Sequence, residues 1–187
     1  MSVSSSWIHG NALTIESPIS YNPQGEEKGR FVLTPYGWGA SVSAEEGAES
    51  SWFHIPIPTI HTRVSRFERF ELQRVFLLFE CSDALIADVH IYDGNEVIKE
   101  FNDLSLTGNY LAKGFRNTFE IQKTSRYQMK RGLGLSFRFV TETRIDPPGP
   151  IPQGNLLVTV AGAEFATRNI FVSTVVDFVT RLVRLGG

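Results

Sequence analysis

Cysteine is nearly absent from this chain, which has Cys81 as its one thiol among 187 residues. A single thiol excludes an internal disulfide and a zinc site built from several cysteines. Cys81 follows the apolar run of residues 75–79, and an unpaired cysteine usually serves as a small core residue. We therefore expect Cys81 to be buried.

Long hydrophobic segments are also missing. No run approaches the roughly 18 apolar residues that a membrane helix needs, so we expect no membrane span. The first residues, MSVSSSWIHGNAL, lack both the basic start and the apolar centre of a secretion signal. The sequence therefore predicts a protein that is cytoplasmic, or one that is released without a classical signal peptide.

Neither charge is in large excess, because the chain has 18 lysines and arginines and 20 aspartates and glutamates. Such a balance gives no general attraction to nucleic acid or to an anionic membrane. Residues 113–131 are locally basic with interleaved aromatic residues, a pattern that can bind single-stranded nucleic acid. The solvent face of a sheet has the same pattern more often, and we predict no nucleic-acid partner.

Motifs for catalysis are missing as well. The chain has no G-x-S-x-G, and its four histidines, His9, His54, His61 and His90, lack the His-x-His spacing of a β-scaffold metal site. The acidic loop of residues 43–51 is most simply a solvated loop. We predict no catalytic residue, no cofactor and no metal site, with metal binding by the histidines as the weaker alternative. The chain is accordingly predicted not to be an enzyme.

What the chain does contain is alternation of apolar and polar residues with turn signals between the segments. This pattern, without helical segments in between, predicts an all-β fold, an antiparallel β-sandwich of jelly-roll or immunoglobulin-like type with eight to ten strands. We assign residues 1–166 to this sandwich domain. The predicted strands cover residues 7–15, 31–34, 52–58, 70–81, 85–92 with a hairpin to 101, 115–121, 133–140 and 156–165.

Two prolines interrupt the predicted strand at residues 52–58. Pro56 and Pro58 stand two apart, so the donors they lack all belong to one edge of the strand. We interpret the segment as an edge strand that is protected against pairing with another molecule. Its alternation predicts a core face and an outer face. The outer face is either covered by a loop or by the C-terminal tail, or it is a contact surface for a partner or a planar ligand. The outer residues are Trp52, His54, Pro56 and Pro58.

The C-terminal extension, residues 167–187, has a different pattern. Five apolar residues fall on one helical face, although the many valines also permit an additional strand. The extension has more apolar surface than it can leave in water, so we predict that it binds a second copy of the chain. These candidate interface residues are Phe171, Val175, Phe178, Val179 and Leu182.

Several short strings resemble a family of small bacterial proteins that is described only as a domain of unknown function. They are WIHG at 7–10, WFHIPIPT at 52–59, VFLLF at 75–79, VHIYDG at 89–94 and AGAEF at 161–165. The WFHIPIPT string is the most specific. The resemblance covers roughly residues 7–166 and implies a β-sandwich, but it implies no activity.

The sequence thus favours a non-enzymatic structural or assembly protein that forms homo-oligomers through its C-terminal extension. The alternative is a β-sandwich module that binds carbohydrate or another small ligand, because aromatic side chains offer flat faces for stacking. The aromatic candidates for this alternative are Trp7, Trp38, Trp52, Tyr36 and Tyr92.

Overall fold

The structure is a computed structural model that describes residues 3–21, 24–45, 47–59, 68–121, 127–141 and 154–169. These residues form antiparallel strands, with a short 3₁₀ turn at Gly10–Ala12. The strands are β1 Val3–His9, β2 Thr14–Ile15, β3 Ile19–Tyr21, β4 Glu27–Tyr36, β5 Gly39–Ala44, β6 Ser50–Ile57, β7 Glu68–Asp93, β8 Glu96–Phe101, β9 Leu106–Tyr110, β10 Thr118–Glu120, β11 Leu133–Thr141 and β12 Asn155–Asn169. The predicted all-β antiparallel fold is confirmed.

Strand β7 is the longest element, with 26 residues, and it connects the two halves of the fold. Its first part pairs with β12 over residues 68–82, and its second part pairs with β11 over residues 84–93. Between them, Asp83 adopts a φ of 52°, a left-handed conformation that aspartate tolerates better than most residues. The sequence predicted two strands, at residues 70–81 and 85–92. The structure has one strand instead, with the left-handed residue Asp83 inside it.

The strands follow the order β2-β6-β11-β7-β12-β5-β4-β3 in one curled sheet. We call β2, β6, β11, β8 and the second part of β7 the β11 half, and the remaining strands the β12 half. The two halves face each other, because Phe31 of β4 contacts Phe53 of β6 and Phe139 of β11 with ring centroids 6.1 and 5.9 Å apart. Apolar side chains from both halves form the core between them.

The apolar side of β6 is buried as the alternation predicts, with Phe53, Ile55 and Ile57 in the core. One edge of β6 pairs with β11 along its whole length, whereas β2 covers the other edge only at Phe53 and His54. The amide of Glu16 also donates to the Trp52 carbonyl at 3.0 Å on that second edge. The N–H group that Pro56 lacks would point to this sparsely covered edge. Pro58 follows the end of the strand.

Some predicted boundaries were wrong. The predicted strands leave out residues 16–30, which contain β3 and the start of β4, and residues 102–114, which contain β9. The predicted strand at 115–121 shrinks to β10, and the Phe115 side chain is 98% exposed. These short strands carry many polar and glycine residues and therefore lack an apolar face that the sequence would reveal. Pairing with neighbouring strands holds them in the sheet. Cys81 is buried, as predicted.

The last strand, β12, continues past the predicted domain boundary to Asn169, where residues 167–169 pair with residues 68–70 of β7. The five candidate interface residues lie outside the described residues. They are Phe171, Val175, Phe178, Val179 and Leu182. Within the described ranges, no helix is both long enough and apolar enough to span a membrane.

Candidate functional site

The outer face of the β11 half brings together side chains from three neighbouring strands. Directly paired residues of antiparallel strands point to the same face, so the register fixes three rows across β6, β11 and β7. The rows are Trp52–Arg138–Asp88, His54–Ser136–His90 and Pro56–Gly134–Tyr92. Three of the four predicted ligand candidates, Trp52, His54 and Pro56, are therefore on one surface, and Pro58 lies beyond it.

A groove lies over the third row because Gly134 has no side chain. The cavity measures about 420 Å³ and lies between Pro56 and His54 on one side and Tyr92 on the other. Ser136 contributes to its floor, and Gly94 and Asn95 line its far end. We call this cavity the Gly134 groove. Its volume falls within the roughly 300–1,000 Å³ of typical small-ligand sites.

A hydrogen bond and a neighbouring carboxylate position the polar wall of the groove. The Oγ of Ser136 lies 2.8 Å from Nδ1 of His54, and Nε2 of His54 lies 3.6 Å from a carboxylate oxygen of Glu16. Serine hydrolases use the same three residue types. Ser136, however, is only 5% exposed and lies in the middle of β11, whose N–H groups pair with β6 and β7. An oxyanion needs free donors. We therefore interpret the contacts of His54 with Ser136 and Glu16 as an arrangement that positions the imidazole.

Aromatic rings continue from the groove along the same face. The ring of His90 lies 4.7 Å from the ring of Trp52 and 6.4 Å from that of Tyr92, measured between centroids. The Nε2 atom of His90 lies 3.0 Å from the Asn102 side-chain oxygen, which fixes the imidazole. Burial raises the pKa of the Tyr92 hydroxyl, and the carboxylates of Glu100 and Glu16 raise it further. Tyr92 thus remains a neutral donor at physiological pH.

The charged row beside Trp52 is internally neutralised. Arg138 donates from Nε to a carboxylate oxygen of Asp88, and the other oxygen of Asp88 accepts the amide of Asp103 at 3.2 Å. Because the guanidinium and the carboxylate are paired, this row adds little net charge to the face.

Asp93 organises the far end of the groove. Its side chain is 1% exposed and accepts the amides of Lys130 and Arg131 at 2.7 Å each, the amide of Gly132 at 3.1 Å and the Tyr127 hydroxyl at 3.0 Å. Burial opposes ionisation of the carboxyl, but these four donors outweigh it and lower the pKa of Asp93. The carboxylate therefore anchors residues 127–132 beside the β7–β8 turn.

Tyr127 stays a donor to Asp93 over a wide pH range. Burial and the hydrogen bond to Asp93 raise the pKa of Tyr127 to about 12. The sequence predicted residues 93–95 only as a turn and gave no sign of this cradle, because its donors are backbone amides from a distant segment.

The predicted aromatic residues do not form one surface. Trp52 and Tyr92 lie on the groove face, whereas Tyr36 and Trp38 stack on each other at the tip of the β4–β5 hairpin, with centroids 5.5 Å apart. Trp7 packs against Phe76 in the β12 half. The structure therefore separates the predicted stacking residues into three places.

The locally basic segment also contributes to internal pairs. The Nζ of Lys113 bonds to Glu164 and lies 3.8 Å from the centre of the Phe76 ring, while Arg74 donates to Glu164 at 2.6 Å. The hydrogen bond from Lys113 lowers the pKa of Glu164, against the effect of burial, and Arg74 lowers it further. Lys113 and Arg74 thus share one carboxylate of the sheet on which they lie.

The sequence indicated no metal site and missed Gly134. Among the described residues, no three histidine, cysteine or acidic side chains converge as metal ligands. His61 lies outside the described residues. Gly134 had a readable signal, because a glycine inside an alternating strand often marks a close approach of a ligand or of another backbone.

No protein-family model and no curated protein matches this chain. Three solved structures share parts of its chain path. A low-affinity xylan-binding module, CBM86, from the gut symbiont Roseburia intestinalis is 9% identical and aligns with 87% of this chain and 96% of its own, at a TM-score of 0.40. A CBM36 carbohydrate-binding module in complex with calcium and xylotriose is 13% identical over 86% and 99%, at 0.34. A cyclase from Fischerella sp. TAU is 11% identical over 87% and 85%, at 0.35. Two of these three similar structures are therefore carbohydrate-binding modules.

Proposed function

We propose that this protein is a non-enzymatic β-sandwich module that binds a short carbohydrate segment in the Gly134 groove. The observation that carries the proposal is the groove itself, in which an aromatic wall at Tyr92 faces Pro56 and His54 across a strand position without a side chain. Such a mixture of apolar surface and a few fixed polar groups is typical of small-ligand sites.

The chemistry of the walls suits a sugar ring. One face of a pyranose presents C–H groups, which pack on aromatic rings such as Tyr92, while its hydroxyls need donors and acceptors. The imidazole of His54 and the amide of Asn95 supply both at opposite ends of the groove. Because hydrogen bonds hold His54 and His90 in fixed positions, little side-chain freedom is lost when a ligand binds.

Gly134 supports the proposal energetically. A glycine inside a strand costs roughly 0.5–1 kcal/mol of stability relative to a residue with a side chain. An added Cβ at this position would meet the Cβ of Tyr92 at 3.6 Å, an ordinary van der Waals contact. The fold itself therefore has room for a Cβ at this position, and a ligand-binding groove is a reason why no side chain occupies it.

Filling the groove tests the proposal directly. We expect Gly134→Val to keep or raise the unfolding free energy, because valine favours strands, and to abolish binding of oligosaccharides by isothermal titration calorimetry. Gly134→Ala is expected to weaken binding partially. The unmodified chain is first screened on a glycan array to choose the oligosaccharide.

Trp38→Ala is the matched control, since Trp38 is exposed on the distant β4–β5 hairpin. It is expected to bind as the unmodified chain does. Loss of binding in Trp38→Ala with full binding in Gly134→Val would move the site to the hairpin. A chain that binds no glycan on the array would disprove the proposal.

Self-association through the C-terminal extension stays a prediction from the sequence, which the apolar residues Phe171, Val175, Phe178, Val179 and Leu182 support. It is compatible with carbohydrate binding, because the Gly134 groove is formed entirely by residues of the sandwich. A module that both self-associates and binds sugar would gain avidity for a polymer with repeated units.

A further inference from the structure

We propose that the Gly134 groove selects oligosaccharides that carry free amino groups over neutral ones, and rejects those that carry carboxylates. The inference rests on the proposed function and specifies the ligand class of the same site. Its basis is the position of two carboxylates, Glu16 and Glu100, around the aromatic part of the groove face.

Glu16 stands beside the His54 wall. One of its carboxylate oxygens lies 3.6 Å from Nε2 of His54, and the Glu16 side chain is 62% exposed. The backbone of Glu16 is held by its amide bond to the Trp52 carbonyl. The backbone of Glu16 is therefore fixed at the rim, and its largely exposed carboxylate lies beside His54.

Glu100 stands on the opposite side of the face. It pairs with His90 across β7 and β8, so its side chain points to the same face as His90 and Tyr92. Glu100 is exposed and forms no ion pair with any residue that the structure describes. Both carboxylates raise the pKa of the Tyr92 hydroxyl, so both fields reach the wall of the groove.

The nearby cations do not cancel the negative potential of the Glu16 and Glu100 carboxylates. Arg138 is paired with Asp88 in the adjoining row. Arg131 packs against Gly94, and its Nη1 donates to the Asn95 side chain at the far end of the groove. Glu16 and Glu100 thus flank the His54–His90 row from its two sides and make this end of the groove anionic, whereas Arg131 lies at the far end beside Asn95.

An ammonium group fits the anionic end for two reasons. Aromatic rings attract cations through their electron-rich faces, and Trp52 and Tyr92 present such rings on this face. The two carboxylates add a direct Coulomb attraction, whereas a uronic acid carboxylate at the same place would be repelled. A sugar amine is the group that combines an ammonium with a pyranose ring.

Calorimetric titration of the full chain with three β-1,4-linked tetramers tests this: glucosamine, N-acetylglucosamine and mannuronate. We expect the glucosamine tetramer to bind about tenfold more tightly than the acetylated tetramer, and the mannuronate tetramer most weakly. Raising the salt concentration should reduce this preference. Glu16→Gln and Glu100→Gln should each lower glucosamine affinity about threefold, and the double variant about tenfold, with the acetylated tetramer unaffected.

Glu120→Gln is the matched control, because Glu120 is an exposed glutamate of β10 in the other half of the fold. It should change none of the three affinities. Equal or tighter binding of the acetylated tetramer, or an unchanged preference in the double variant, would overturn the inference and leave the proposed function standing. Binding that persists in Gly134→Val, or no binding of any tetramer, would overturn both.

Discussion

At the residue scale, one buried carboxylate sets the end of the groove. Asp93 is held by three backbone amides and the Tyr127 hydroxyl, which lower its pKa below the ordinary value of about 3.9. A carboxyl whose pKa is lower in the folded state adds stability above its unfolded pKa. That stability is lost as the pH falls from about 4 through the folded pKa.

We therefore expect Asp93→Asn to destabilise the protein by about 3 kcal/mol at pH 7, because a neutral amide accepts the four donors less well and adds donors of its own. The loss should shrink as the pH falls below about 4, because the carboxyl of the unfolded chain takes up a proton first and the native carboxylate follows at its lower pKa. Urea unfolding between pH 7 and pH 3 measures both effects.

Asp83→Asn is the control for this measurement. Asp83 is exposed on the same strand, and asparagine tolerates its φ of 52° as well as aspartate does. It should change the unfolding free energy by less than about 0.5 kcal/mol at any of these pH values. A pH-independent loss in Asp93→Asn would show that the charge of Asp93 contributes nothing.

The sequence predicted the placement of a single residue where that placement depends on its neighbours in the same strand. Strand alternation placed Phe53 in the core and Trp52 and His54 outside, because neighbouring side chains of one strand decide that. The Ser136–His54–Glu16 arrangement joins three segments that are far apart in the chain, and the Asp93 cradle joins two. No pattern within one segment encodes such pairings.

At the element scale, the edge of β12 is divided between two strands. Strand β5 pairs with β12 up to Val158, and β1 pairs with it from Val160, with a bulge between them. Gly39 and Gly10 both approach the Val158 carbonyl oxygen, where an added Cβ would lie 2.5 and 2.0 Å away. The junction therefore requires glycine at both positions.

Gly39→Ala is expected to destabilise the protein by about 2 kcal/mol, since the backbone oxygen of Val158 cannot move without breaking the pairing. Gly37→Ala is the matched control two residues away, because an added Cβ there meets nothing within 4 Å. Its effect should stay below about 0.5 kcal/mol. Chemical denaturation followed by circular dichroism compares the two, and equal stabilities would contradict a closed junction.

The sequence predicted elements well where apolar alternation was long and poorly where a strand was short or bent. The predicted strand at 133–140 corresponds to β11, because its alternating apolar residues Leu133, Leu135, Phe137 and Phe139 are all buried. The predicted boundary inside β7 arose from the polar residues near Asp83, which resemble a turn. Continuity through that position depends on β12, β9 and β11 pairing on either side of it.

At the scale of the whole molecule, β7 connects the groove face to the β12 half. One part of it pairs with β12 and the other with β11, so the groove face and the β12 half share a strand. The two halves also share one core, in which Phe31 packs on Phe53 and Phe139. The groove face is therefore supported from behind by the complete core, which is the arrangement that holds a binding site rigid.

Self-association is the last property that belongs to the whole molecule. A chain that ends at Asn169 keeps every strand pair among the residues that the structure describes, in which β12 makes its last pair between Asn169 and Glu68. We expect this shortened chain to be a monomer by light scattering and the full chain to be larger, because burial of the apolar residues in 170–187 stabilises association.

Glycan affinity per site should be the same in both chains, since the Gly134 groove contains no residue beyond Ser136. Full-length Phe171→Ser/Phe178→Ser is the matched variant, because it keeps the length of the extension and removes two large apolar side chains. It should behave as the shortened chain does. Monomers in all three preparations at high concentration would contradict assembly through the extension and would leave carbohydrate binding untouched, because the two properties use different parts of the chain.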